Sequence, residues 1–167
     1  TRLLAGAGHA YGNSTSLPFE KHFYAGGANS LRGWQARTVG PGLSPMDKSF
    51  VIPNQTGDMR LEANIEYRFD LFWKLAGAVF IDAGNIWTLK DDNTEDGRLA
   101  MFRWDTFAES IAANWGVGLR LNFGFLLLRL DAGMKVHDPA REVKWVNPGQ
   151  WLDTENYALH FGVGYPF

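Results

Sequence analysis

From Met59 to Asp70 apolar and polar side chains alternate without a break. Met59, Leu61, Ala63, Ile65, Tyr67 and Phe69 share one parity, and Arg60, Glu62, Asn64, Glu66, Arg68 and Asp70 share the other. Successive side chains of a β-strand point to opposite faces, so this segment has one apolar face and one strongly polar face. Three further segments keep the same period: Trp115 to Phe123, Leu126 to Val136, and Leu159 to Phe167. All are longer than the roughly five or six residues usual in soluble sheets and suit the ~9–11 residues of tilted strand that cross a bilayer. A soluble sheet with one wet face would explain the alternation but not the length. A water-filled interior with a lipid-facing exterior explains both. The fold class this predicts is all-β, an antiparallel transmembrane β-barrel.

Six long strands are predicted, over residues 2–12, 57–70, 73–87, 111–123, 125–137 and 157–167. Long connections (13–56, 88–110 and 138–156) alternate with short ones at Leu71-Phe72 and near Gly124. Bacterial outer-membrane barrels pair short periplasmic turns with long outer loops in this way, which places the end of the last strand on the periplasmic side. The long loops carry Gly, Pro and Asn at Gly40-Pro41-Gly42, Pro53-Asn54 and Asn147-Pro148-Gly149. One helical turn is predicted over Trp104 to Glu109. The smallest bacterial barrels have about eight strands, and an open sheet leaves unpaired edges in lipid. The predicted strands therefore belong to a larger barrel, or close against another copy of the chain.

Composition narrows the reading. The net charge is −2, so the basic footprint of a nucleic-acid binder is missing. There is no cysteine, which excludes disulfide scaffolds and thiolate metal sites. Seven Trp and 19 Gly suit aromatic girdles and close interior packing. No apolar run approaches the ~20 residues of a spanning helix, as expected of strands that turn half their residues to a lumen. The chain opens inside a predicted strand, without the pattern of a signal peptide, and is expected to be a mature piece of something longer.

Candidate chemistry begins in the first long loop, at Phe23-Tyr24-Ala25-Gly26-Gly27-Ala28-Asn29-Ser30-Leu31-Arg32-Gly33-Trp34. Gly26, Gly27 and Gly33 permit left-handed backbone or close approach. Arg32 between tight turns suggests a tip held against something acidic, with a solvated surface arginine as the plain alternative. No Gly-Lys-Ser/Thr follows, so a phosphate loop is a poor fit. The run from Phe23 to Gly27 followed by Leu31-Arg32-Gly33-Trp34 resembles the sixth outer loop of the outer-membrane barrel-assembly superfamily, the bacterial surface antigen proteins of BamA-like and TamA-like type. Asn64-Ile65-Glu66-Tyr67 is similar to that family's glutamate-bearing strand motif. Phe80-Ile81-Asp82-Ala83-Gly84-Asn85-Ile86-Trp87 is similar to its Asp-x-Gly strand end. The resemblance spans nearly the whole chain as the last six of about sixteen strands. Gly57 to Phe69 is most similar to Bacteroidetes members of the translocation-and-assembly type. The resemblance implies that Arg32 latches the loop to Glu66 and Asp82 inside the barrel. Parity independently turns both carboxylates inward.

The chain's last segment, His160-Phe161-Gly162-Val163-Gly164-Tyr165-Pro166-Phe167, resembles the terminal signal of outer-membrane barrels. An ordinary last strand is the plain alternative. Gly162 and Gly164 weaken a strand, and Pro166 cannot donate to a ladder. In the family this strand meets the first at a weak seam. Asp91-Asp92-Asn93-Thr94-Glu95-Asp96-Gly97 fails the calcium-loop spacing and reads as a solvated outer loop. Ser14, Ser16 or Ser110 would have to meet a histidine (His9, His22, His137 or His160) and an acid to make a hydrolase, and no serine motif supports this. Asn13-Ser14-Thr15 and Asn54-Gln55-Thr56 are glycosylation sequons by pattern alone.

The function the resemblance implies is assembly, insertion or translocation of outer-membrane proteins in the bacterial outer membrane, by templating client β-strands at the weak seam. No enzyme activity, cofactor or metal is expected. The expected partners are the lipid bilayer, client β-barrel proteins, the rest of the barrel with upstream periplasmic domains, or another copy of the chain. A passive outer-membrane pore or secretion channel is the alternative.

Overall fold

A computed structural model describes residues 1–10, 17–45, 55–90 and 94–167. The candidate serines Ser14 and Ser16, the residues Asn13-Ser14-Thr15, Pro53-Asn54 and Asp91-Asp92-Asn93 lie outside them. Six strands form one antiparallel sheet in chain order. They are β1 (Arg2–Ala7), β2 (Met59–Phe72), β3 (Leu75–Trp87), β4 (Ala112–Asn122), β5 (Leu127–His137) and β6 (Tyr157–Val163). β1 and β6 are its two edges. The remainder of the described residues is loop, two short helices, α1 (Glu95–Ala100) and α2 (Phe107–Ser110), and 3-10 turns at Phe19–Lys21 and Pro148–Gln150.

The sheet is polar on its packed face and apolar on its open face. Glu62, Asn64, Asp82, Asn114, Arg120, Arg129, Asp131 and His160 are buried. Ile65, Tyr67, Ile81, Val117, Leu119, Leu159 and Phe161 are exposed. The register stacks the apolar positions in rows, such as Tyr67–Val79–Val117–Ala132–Leu159 and Phe69–Gly77–Leu119–Leu130–Phe161. In water, exposing such rows while burying charge would be unfavourable on both counts. In a bilayer both terms reverse, and the sheet is the wall of a transmembrane barrel.

The wall is strongly curved. In a flat sheet β6 would lie four spacings from β2, about 19 Å away at ~4.8 Å each. Yet Arg32 reaches Glu66 on β2 with its guanidinium at 2.5 Å, while its carbonyl lies 3.2 Å from His160 Nε2 on β6. The sheet curls around the tip of the first long loop. That loop packs through a small apolar knot of Ala25, Leu31, Trp34 and Val39 against Ile86 and Ala112, with Phe23 at its margin.

Several boundaries differ from the expectations. The first strand ends at Ala7 instead of residue 12. The β2–β3 turn is Trp73-Lys74, not Leu71-Phe72, because Phe72 still pairs with Leu75. Trp73 takes φ 53°, a left-handed conformation that two-residue hairpins favour but which Asn or Gly usually supplies. The helical turn falls at Phe107–Ser110 instead of Trp104 to Glu109. An additional helix, α1, starts where the Thr94 hydroxyl accepts from Gly97 N at 2.9 Å, so Glu95 and Asp96 occupy its first turn. The last strand stops at Val163. Gly164 takes φ +84°, which ends the alternation before Tyr165 and Phe167.

The outward assignment has a direct check. Val117→Arg in the full-length parent, folded into lipid vesicles, is expected to lower the unfolding free energy by about 2–4 kcal/mol. Val117→Leu should leave it nearly unchanged, and urea titration reads both. Equal stability of the arginine variant would contradict a lipid-facing Val117.

Candidate functional site

The loop tip is shaped before it meets the sheet. Gly26 and Gly27 both take positive φ, 97° and 99°. Gly27 N donates to Trp34 O at 3.0 Å and Ser30 N to Gly27 O at 3.0 Å, closing a compact turn. Ser30 Oγ accepts from Gly26 N at 3.0 Å and donates to Glu62 Oε1 at 2.5 Å, which ties the turn to β2. Gly33 needs no special φ. A Cβ there would come within 2.7 Å of Asn114 Cβ, so glycine is required for close approach. The floor beneath is also glycine. A side chain at Gly133 would run into the Arg32 carbonyl, and one at Gly116 into the Phe80 ring.

Arg32 descends from this tip and is 1% exposed. Its Nε and Nη2 donate to the two oxygens of Asp82 at 3.0 and 2.9 Å, a bidentate fork. Its backbone N also donates to Asp82 at 3.2 Å. Nη1 donates to Glu66 Oε2 at 2.5 Å. The Phe80 ring lies 3.4 Å from the guanidinium carbon, a cation–π contact in a site shielded from water. The register explains the convergence: Asn64, Asp82 and Asn114 stand opposite one another on β2, β3 and β4. Asn64 Nδ2 donates to Asp82 Oδ1 at 2.9 Å, and Asn114 Nδ2 donates to Asp82 Oδ2 at 3.1 Å. Asp82 thus accepts from two amides as well as the arginine.

A wider charged network continues from Glu66. Arg68 Nε donates to its Oε1 at 2.6 Å, and Arg120 Nη2 to its Oε2 at 3.1 Å. Arg120 also donates to Asp131 at 2.5 Å, and Arg129 lies 3.5 Å from the same carboxylate. Arg129 Nη2 donates to the Asn29 side chain in the loop tip. At the other margin Arg2 and Arg60 both pair with Glu62, at 3.1 and 2.8 Å. The carboxylates, Arg120 and Arg129 are buried, where a missing partner is costly, whereas Arg2, Arg60 and Arg68 stay partly open to solvent.

Arg32, Glu66 and Asp82 are therefore brought together, Gly26 and Gly27 form the turn, and Gly33 seats the tip on β4. Trp34 is buried in the apolar knot. Of the last segment, His160 meets the Arg32 carbonyl. A side chain at Gly162 would meet the Arg129 guanidinium. Gly164, Tyr165, Pro166 and Phe167 leave the strand. The Tyr165 ring lies 4.4 Å from Arg68 Cζ, Pro166 is buried, and the Phe167 ring lies 5.5 Å from Arg2 Cζ and 5.9 Å from that of Arg32. Ser110 meets no histidine: its hydroxyl donates to Phe107 O at 2.8 Å and accepts from Trp87 Nε1 at 3.0 Å.

Asn64, Asn114, Ser30, Glu62, Arg120, Arg129 and Asp131 join the site without having been singled out beforehand. Apart from Ser30, which lies in the loop tip, their inward parity was visible along each strand. Which of them stand opposite one another depends on register, and that is a property of the paired strands alone.

The Omp85 superfamily domain model matches residues 1–167. The outer membrane protein assembly factor BamA of Neisseria meningitidis serogroup B is 30% identical over 100 residues, which cover 53% of this chain and 12% of that protein. The chain thus matches only a small part of that relative's length.

The convergence on Arg32 implies energetic coupling. In the full-length parent, Arg32→Gln is expected to cost about 3–5 kcal/mol, because buried Asp82 loses its cation and Glu66 one of its three arginines. Asp82→Asn should cost less once Arg32 is already Gln, so the double variant falls short of the sum. Strict additivity in urea unfolding would contradict a shared interaction.

Proposed function

The chain belongs to the Omp85 superfamily, and from that premise we propose that it is the strand-templating wall of a factor that assembles or inserts outer-membrane proteins. The wall is antiparallel β-barrel in the bacterial outer membrane. Its last strand supports the proposed role. β6 has 7 residues against 11 in β5, and Gly164 ends it. A short edge with free backbone groups can pair with an incoming strand by β-augmentation, and it separates from a neighbour at low cost.

The observation that carries the proposal is Arg32, which joins the long loop to β2 and β3 through its side chain and to β6 through its carbonyl. Arg32 with Glu66 and Asp82 is the latch in this reading. It keeps the loop tip inside the wall while the edge strand opens and closes. Gly26 and Gly27 shape the latch turn, and Gly33 and Trp34 seat it. His160 and the glycines at 162 and 164 couple it to the seam. Client barrel strands, the bilayer and the rest of the barrel are the partners, and the translocation-and-assembly subtype is the one we favour. A passive pore is the weaker reading, since the loop tip lies against the concave face and is tied there to β2, β3 and β6.

Depletion of the full-length parent in its own cell tests the function. Unrelated outer-membrane barrels are expected to fall several-fold while their precursors accumulate in the periplasm. Unchanged barrel levels, together with lost solute uptake, would contradict assembly and favour a pore.

A further inference from the structure

The two short turns at the periplasmic end carry a contact that hairpin geometry does not require. Trp73 holds φ 53°. A bulky side chain in the left-handed region is strained, and Gly or Asn at that position would relieve the strain. Trp73 is also 78% exposed, so burial does not offset it. Strain of this kind is held in place by its surroundings and gathers at ligand clamps. Here the Trp73 ring meets Phe123 of the β4–β5 turn edge to face at 6.3 Å, and Asn122 N donates to Lys74 O at 2.9 Å. The Lys74 ammonium lies 5.6 Å from the centroids of both rings, within cation–π reach. Among the described residues it meets no carboxylate and donates to no oxygen. Phe72 and Phe125, in the same two turns, are 71% and 91% exposed.

We propose that Trp73, Lys74 and Phe123 form a headgroup site for an anionic phospholipid of the periplasmic leaflet. The Lys74 N–H groups donate to the phosphodiester oxygens, the two rings flank the ammonium, and Phe72 and Phe125 border the upper acyl chains. Depth selects a lipid over a protein partner. The row Leu75–Leu121–Leu128–Val163 closes the apolar outer face directly before these turns. Lys74 follows one strand residue further on, about 3.3 Å beyond the hydrocarbon edge, where headgroups lie and interfacial aromatic residues gather. Charge selects the anionic class: a lysine with free donors is a compact point charge, suited to a phosphate oxygen. The inference rests on the lipid-facing wall and is independent of the assembly reading.

The test uses the full-length parent folded into equimolar phosphatidylglycerol and phosphatidylcholine vesicles, with p-azidophenylalanine in place of Phe123, which keeps a ring at the site. After photolysis, mass spectrometry identifies the crosslinked lipid. Phosphatidylglycerol is expected to exceed phosphatidylcholine about fivefold. Lys74→Gln should bring the ratio to that of the bulk vesicle, and Lys74→Arg should keep most of the preference. Trp73→Gly keeps the charge and removes one side of the collar, so it should also lose most of the preference. Because glycine accepts the left-handed turn, Trp73→Gly should melt no lower than wild type in detergent. A ratio unchanged by Lys74→Gln would overturn the proposal. So would a preference retained by Trp73→Gly, which would make Lys74 an ordinary surface charge. A Trp73→Gly protein that melts far lower would show Trp73 kept for its packing on Phe123, and crosslinking to the parent's own upstream domains in place of lipid would show a protein partner; either result overturns the site.

Discussion

One guanidinium organises this structure. Arg32 bridges two carboxylates from adjacent strands, lies on the Phe80 ring and touches the last strand through its carbonyl. At membrane depth, acidic strand residues are tolerable only if a cation and hydrogen-bond donors meet them. The loop brings that cation from far away in sequence, so the chain's longest loop is needed to satisfy its most polar wall. Removing Arg32 strips Asp82 of its cation and leaves it only the amides of Asn64 and Asn114, while Glu66 keeps Arg68 and Arg120. For that reason the interaction acts as a specification of geometry more than as a source of net stability.

The rest of the architecture follows from that demand. Small residues line the path of the loop: Gly116 leaves room for Phe80, Gly133 lets the Arg32 backbone approach, and Gly33 permits contact with Asn114. The curl of the sheet brings β2 and β6 to opposite sides of one loop tip, which a flat sheet could not do. The outer face contributes rows of apolar side chains suited to lipid. An assembly role requires a wall that is firm in its middle and yielding at one edge. Here β2, β3 and β4 share the charged network, while β6 is short and ends in a glycine turn.

Much of this was legible along the chain because a period of two survives tertiary structure. The faces of β2, β4 and β5 were readable from parity alone, and so was the all-β class. Three features were not. Trp73 supplies the left-handed turn position that Gly or Asn usually takes, so the hairpin carried no turn signal. The inward turn at Gly164 was hidden because Tyr165 and Phe167 keep the alternation of a strand although their rings leave it. The Asn64–Asp82–Asn114 row depends on register between strands distant in sequence. Reading the Arg-Gly-Trp tip as facing acid drew on local chemistry, whereas the choice of Glu66 and Asp82 drew on the family resemblance.

The central claim is that the loop tip resides inside the wall because Arg32 holds it there. Hydrogen exchange of the backbone amides from Gly26 to Gln35, in the full-length parent in lipid nanodiscs, tests this most directly. Protection of that segment comparable to β3 in the wild type, lost in Arg32→Gln while β3 and β4 stay protected, is the result the account requires. Exchange of the wild-type tip at the rate of an open loop, or a tip equally protected without Arg32, would contradict it.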